Sequence, residues 1–507
     1  MADRLRGLIP LIAAALVGAA VLLPLAAVIW RAGGLSPLDS RSWDAVWFTL
    51  WQAALSAVLS VGLAVPVARA LARRRFRGRS ALVALLGAPF ILPVIVAILG
   101  LLAVFGQKGW LSDVLGLFGL PAVRIYGLHG VLLAHVFFNL PLATRLLLQG
   151  WQDIPAERFR LAATLNLRPW TMFRLIEWPM LRRIAPGAAM VIFVICLSSF
   201  AVALTLGGGP KATTVELAIY QAFRFDFDIG KAAQLAVVQL VLAGAVALIA
   251  MKLTLPEAGF GGLDRVVPRW DGSRIVDGFW IALVALFLLL PLAAIGLRGA
   301  GALFSLPASV WQAAVYSVSV SIGAVVVTLA LALPLALSRR KWVELVALLG
   351  IASSSLVLGT GLYLMINPFI APWDVALPVT AGVNAVMALP FALRILRPAA
   401  AQIEAEHGRL ADSLDLRGWA RLRWLMLPRL GRPLGFAAGL TGALAMGDLG
   451  VITLFADPDT ATLPLQMYRL MGAYRMEQAA GAALLLLILS FGLFWIFDRG
   501  GRANADA

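Results

Sequence analysis

A succession of apolar runs about twenty residues long, separated by short polar stretches, constrains this chain more than any other feature. Residues 281–295 and 479–497 are typical. The chain is 61% hydrophobic and only 13% charged, against about 25% charged in an average soluble domain. It has too little polar surface to coat a water-soluble globule. Disordered chains are poor in apolar residues, so disorder is excluded. A membrane β-barrel would alternate apolar and polar residues in segments of about ten, and no such alternation occurs. An all-α integral membrane protein is the class that remains.

A hydropathy window of about 19 residues places twelve spans, near residues 8–30, 45–68, 81–105, 127–149, 186–206, 232–251, 275–297, 310–337, 342–366, 375–396, 433–455 and 479–497. The first follows Arg4 and Arg6 but exceeds the h-region of a signal peptide, about 7–15 residues, so it is expected to be retained. With the N-terminus inside, the inner segments hold thirty Lys and Arg and the outer segments ten. That bias puts both termini in the cytoplasm and accounts for the net charge of +16 without a nucleic-acid partner. Cys196 is the single cysteine, and His129, His135 and His407 do not cluster with ligand spacing, so neither a disulfide nor a metal site is expected.

The chain is a tandem repeat. Residues 154–183 align without gaps on 403–432 at an offset of 249, pairing Arg160, Leu161, Ala162, Leu165 and Trp170 with Arg409, Leu410, Ala411, Leu414 and Trp419. Leu140, Pro141 and Arg145 extend the match to Leu389, Pro390 and Arg394. Pro66 and Pro334 pair at 268, each before a basic turn, Arg73-Arg74-Arg75 and Arg339-Arg340-Lys341. Six spans per half keep the halves in one orientation, a parallel repeat. The expected division is 1–255, a cytoplasmic linker at 256–274, and 275–507.

Each aligned loop reads as two short amphipathic helices. In the first half these cover about 156–165 and 170–178, with a turn at 166–169 and a stop at Pro179. Leucines and a tryptophan interleave with arginines, which suits either anionic headgroups or a cytoplasmic partner. Equivalent placement in a two-fold repeat favours docking, because a lipid surface makes no such demand.

These loops resemble the EAA loops of permease subunits in bacterial binding-protein-dependent ABC importers. Registering on Pro179 and Pro428 sets the family's Glu-Ala-Ala on Arg160-Leu161-Ala162 and Arg409-Leu410-Ala411, and its glycine on Asn166 and Asp415. Both repeats depart from the pattern at the acidic residue and the glycine, although Asn and Asp tolerate a left-handed turn. The segments at 132–149, 206–222 and 447–455 are most similar to the fused two-permease type that carries thiamine. Ferric-iron permeases share that layout. The resemblance implies two copies of a cytoplasmic ABC ATPase docked at the loops, a periplasmic substrate-binding protein, and a place in the bacterial inner membrane.

No P-loop is present; Gly230-Lys231-Ala232 lacks the hydroxyl residue and the first glycine. The chain is therefore expected to bind no cofactor and to be no enzyme, with ATP used by a partner. A proton-coupled secondary transporter is the rival class, but it needs acidic or His residues deep in the bundle, and Asp448 is the main candidate there. Asp448 aligns with Ser199, with Phe200 and Phe455 within two turns, and reads either as a helix cap or as a weak site for a cationic substrate. Outside, 207–221 matches 457–468, setting Thr214 and Tyr220 over Thr462 and Tyr468. Thr213 as N-cap with Glu216 at the third helical position reads as a helix start; the alternative is an external gate of Thr214, Glu216, Tyr220 and Tyr468.

Overall fold

The structure, a computed structural model, describes residues 2–33, 38–87, 89, 91–209, 212–250, 263, 265–267, 269, 271–338, 340, 342–352, 354–457 and 459–503. Among them every regular element is helical, and ten helices are long and apolar enough to cross a bilayer. The chain is an all-α, multi-pass membrane protein. Most of the expected linker 256–274 lies outside the described residues, as do Pro210, Arg339 and Lys341.

Four of the twelve expected spans are interrupted. The third is split into Arg79–Leu85 and Val94–Phe105, the fifth into Trp178–Leu197 and Phe200–Leu206. The ninth is split into Val343–Ala352 and Ser355–Ile366, the eleventh into Leu427–Met446 and Ile452–Phe455. The ninth, whose pieces are 10 and 12 residues long, and the eleventh are absent from the ten long apolar helices, whereas the third and fifth remain among them. A hydropathy average passes over such breaks because both flanks are apolar. The residues at the breaks give the cause: Pro93 precedes one helix, and Ser354 caps another by accepting from the Leu356 N–H at 3.3 Å. The interrupted spans are equivalent in pairs, three with nine and five with eleven.

The repeat is visible in local geometry. Asn166 and Asp415, 249 apart, both have left-handed backbones, with φ of 48° and 50°. A single π-turn follows each, at Phe173–Glu177 and Leu422–Met426. Thr49 Oγ1 accepts from the Val215 N–H at 2.9 Å, and Ser317 Oγ, 268 residues on, accepts from the Leu463 N–H at 2.7 Å. These last two bonds tie the second span of each half to the short helices Val215–Arg224 and Leu463–Gly472.

The halves are interlocked. A Cβ at Gly361, in the ninth span, would overlap the carbonyl oxygen of Pro24 in the first. A Cβ at Gly100, in the third span, would stand 2.7 Å from the carbonyl oxygen of Pro291 in the seventh. The first helix of each half therefore lies backbone-to-backbone on the other half, an approach that small residues permit in membrane bundles.

Candidate functional site

The two aligned loops present matching surfaces. Leu161, Leu165 and Trp170 are 61%, 62% and 72% exposed, and Leu410, Leu414 and Trp419 are 59%, 62% and 69% exposed. Arg160 and Arg409 are exposed beside them, whereas Ala162 and Ala411 are buried and seat each helix. Trp170 stacks on Phe173 with ring centroids 5.6 Å apart. A cleft of about 580 Å³ opens beside the first loop, between Asp153, Arg158, Leu175 and Arg183.

The loop helices differ from expectation in two ways. The first begins at Pro155 as a separate helix, Ala156–Thr164, because the residue before a proline is driven to extended backbone; Ile154 has ψ 122°. In the second half Glu404 replaces that proline, and span and loop form one helix, Ala376–Ser413. Pro179 does not end the second loop helix. It lies in the first turn of the helix Trp178–Leu197, and the π-turn before it carries the chain through without a stop. Pro428 does the same in the second half. Arg421 braces the second loop, donating to Glu404 and Asp412 at 2.6 Å each. The Asp412 hydrogen bond raises the guanidinium above its ordinary pKa.

In the bundle interior Asp448 lies at the break of the eleventh span. Its Oδ1 accepts from the Gly450 N–H at 3.2 Å, a local cap, while Oδ2 is buried and meets no hydrogen-bond donor. Ser199 occupies the equivalent break, where its hydroxyl bonds His135 Nε2 at 2.5 Å; His135 Nδ1 bonds Ser56 at 2.9 Å. Asn384 stands 249 residues after His135 and donates to the Ala445 carbonyl at 3.4 Å. The polar pair His135–Ser199 in one half is thus replaced by Asn384 and Asp448 in the other. Phe200 meets Tyr220 at 5.4 Å, and Phe455 meets Tyr363 at 5.7 Å, which continues to Phe223 at 4.4 Å.

The expected helix start at Thr213 is corrected by one residue. Thr214 is the N-cap and accepts from the Leu217 N–H at 3.3 Å, while the Thr213 hydroxyl donates to the Gly209 carbonyl. Glu216 makes no capping box. Its carboxylate turns into the bundle and accepts from Ser354, because a buried carboxylate takes the donor that burial offers. Thr214, Glu216 and Tyr220 are buried and Tyr468 is half-buried, so none forms an open outer surface. Composition hid His135, Asn384 and Ser354, although the repeat offset pairs the first two.

No protein-family model matches the chain. It is similar to curated proteins over most of its length. The thiamine transport system permease protein ThiP of Salmonella typhimurium is 41% identical over 460 residues, covering 85% of this chain and 84% of that protein. The ThiP of Escherichia coli is 40% identical over 451 residues, 84% and 83% of the two chains. That of Haemophilus influenzae is 35% identical over 451 residues, 85% and 83%. With matched loops on one face, broken spans meeting in the core and identity of this extent, the chain belongs to the family of thiamine transport system permease proteins.

Proposed function

We propose that this chain is both membrane-spanning subunits of an ATP-driven importer, fused into one polypeptide, and that it carries thiamine into the cell. Its repeats, 1–255 and 275–507, each supply one docking loop. Two copies of a cytoplasmic ABC ATPase dock at 156–178 and 405–427, and a periplasmic binding protein delivers substrate from outside. The chain sits in the bacterial inner membrane with both termini in the cytoplasm. It binds no cofactor and hydrolyses no ATP.

The observation that carries this is the pair of loops whose apolar side chains are exposed to nearly the same degree at equivalent positions. Apolar side chains exposed at matched places signal a surface waiting for two identical partners. ATP binding closes the ATPases and moves the loops, and rigid spans pass that motion to the core. There the broken helices around Asp448, Ser199, Phe200 and Phe455 form the substrate path. Thiamine carries a fixed positive charge, which a carboxylate attracts more strongly in a low-dielectric bundle than in water, and aromatic faces add cation–π attraction. Thr214, Glu216, Tyr220 and Tyr468 gate this path from the outer side.

The test is uptake of labelled thiamine by a deletion strain carrying this chain, with thiamine phosphates and ferric iron as competing cargoes, beside co-purification of the ATPase. Thiamine uptake with a co-purifying ATPase is expected. Iron uptake without thiamine uptake overturns the cargo, and thiamine uptake by the chain with no ATPase overturns the mechanism in favour of a secondary transporter.

A further inference from the structure

At the cytoplasmic end of the first half, four arginines from two segments converge on three buried carboxylates. Glu177, in the first π-turn, has a fully buried side chain that accepts from Arg69 at 2.8 Å, Arg269 at 2.7 Å and the Trp151 indole at 2.9 Å. Arg269 belongs to the connector between the halves, and it also grips Asp271 with one edge of its guanidinium, donating from Nε at 2.8 Å and from Nη2 at 2.7 Å. Asp271 in turn accepts from Arg69 at 3.2 Å. Asp277, in the first turn of the seventh span, accepts from Arg73 and from Arg74, the latter at 2.6 Å. Both helices of the first docking loop are held as well: Arg269 lies over the Phe159 ring at 4.6 Å, and Arg69 over Phe173 at 5.2 Å.

The second loop lacks these groups. At the repeat offsets, Met426 stands for Glu177, Gly408 for Phe159 and Leu337 for Arg69. Its brace, Arg421 on Glu404 and Asp412, lies within the loop and its own helix. The first loop is thus tied to the connector and, through it, to the seventh span, the helix that crosses between the halves. The Arg421 brace of the second loop joins residues of one half only.

We propose that the connector is itself a coupling element: Arg269 and Asp271 lock the first docking loop, through Glu177, to the ends of the second and seventh spans, so that ATPase movement at this loop drives helices of both halves. This rests on the docking function proposed above. Glu177 and Arg269 are positioning residues, acting through the loop they hold. Forked, buried arginine–carboxylate pairs fix relative geometry more strictly than apolar contacts do, which is what a transmitting joint requires.

The test uses the complete complex of this chain, its ATPase and its binding protein in liposomes, and reads thiamine imported per ATP hydrolysed. Glu177→Gln and Arg269→Gln are expected to keep the ATPase bound and hydrolysing while this ratio falls about five- to tenfold, the size of an ordinary coupling free energy. Arg269→Lys, which keeps the charge but not the fork, should fall between wild type and Arg269→Gln. Arg502→Gln, which breaks the Asp498 ion pair in the last helix, should leave the ratio within about twofold. An unchanged ratio in Glu177→Gln or Arg269→Gln, including uptake and hydrolysis falling together, makes the network structural only and overturns the proposal. If the glutamine variants do not accumulate, Arg269→Lys decides: a ratio below wild type supports the joint, and a wild-type ratio overturns it. A wild-type chain that binds no ATPase defeats the docking function instead, and is seen before any variant is made.

Discussion

Replacing Leu161 and Leu165 together by Asp tests the docking surface where its energy is most easily worked out. The two side chains are 61% and 62% exposed, so the folded chain itself loses little when they go. Fully burying a leucine side chain stabilises by about 1.5–3 kcal/mol, so covering the exposed part of each gives about 1–2 kcal/mol and the pair about 2–4 kcal/mol. The introduced charges would also be buried by a partner, so this is a lower bound. At about 1.4 kcal/mol per tenfold, ATPase affinity should fall roughly thirtyfold or more. Leu410 and Leu414, exposed at 59% and 62%, should cost the same when replaced. Ala162 is the internal control: at 2% exposure, its replacement by Asp should disorder the loop and lower the melting temperature, which the leucine changes should not. The assay is titration of the ATPase onto the purified chain in detergent. An ATPase Kd unchanged by the double Asp variant would refute docking through these leucines and return the loops to the lipid surface.

Asp448→Asn, nearly isosteric and an equally good cap, should abolish most thiamine uptake per folded protein; wild-type uptake would leave Asp448 as a cap alone. Ala in place of Asn166 or Asp415, whose φ is 48° and 50°, should destabilise its loop by about 1 kcal/mol, with Gly neutral; equal protease resistance of the Ala and Gly variants would contradict this. Asp39 caps the N-terminus of the second span, and its hydrogen bond with the Ser42 hydroxyl, with Lys231 beside it, lowers its pKa to about 2. A lowered carboxylate pKa gives stability that is whole above about pH 4 and lost as pH falls through about 2. Asp39→Asn should flatten that acid limb slightly, the carboxylate being half-exposed, and identical melting profiles for the two proteins between pH 5 and pH 2, followed at roughly one-unit steps, would show that the cap contributes nothing.

The sequence alone determined what depends on local pattern. Bilayer hydrophobicity acts on each run of residues separately, so the class and most spans follow from composition along the chain. The repeat offset picked out the two matched loops and their turn positions Asn166 and Asp415, because a left-handed turn needs only the right side chain at one point. Tertiary structure decided what depends on partners distant in the chain. Gly100 and Gly361 look like any helical glycine until Pro291 and Pro24 of the opposite half come against them. Glu216 reads as a capping residue until burial offers it Ser354 instead. Glu177 has no neighbour in sequence that explains it; Arg69 is 108 residues before it and Arg269 is 92 after. A buried charge is tolerated only where opposite charges converge on it, and such convergence exists only once the spans have packed.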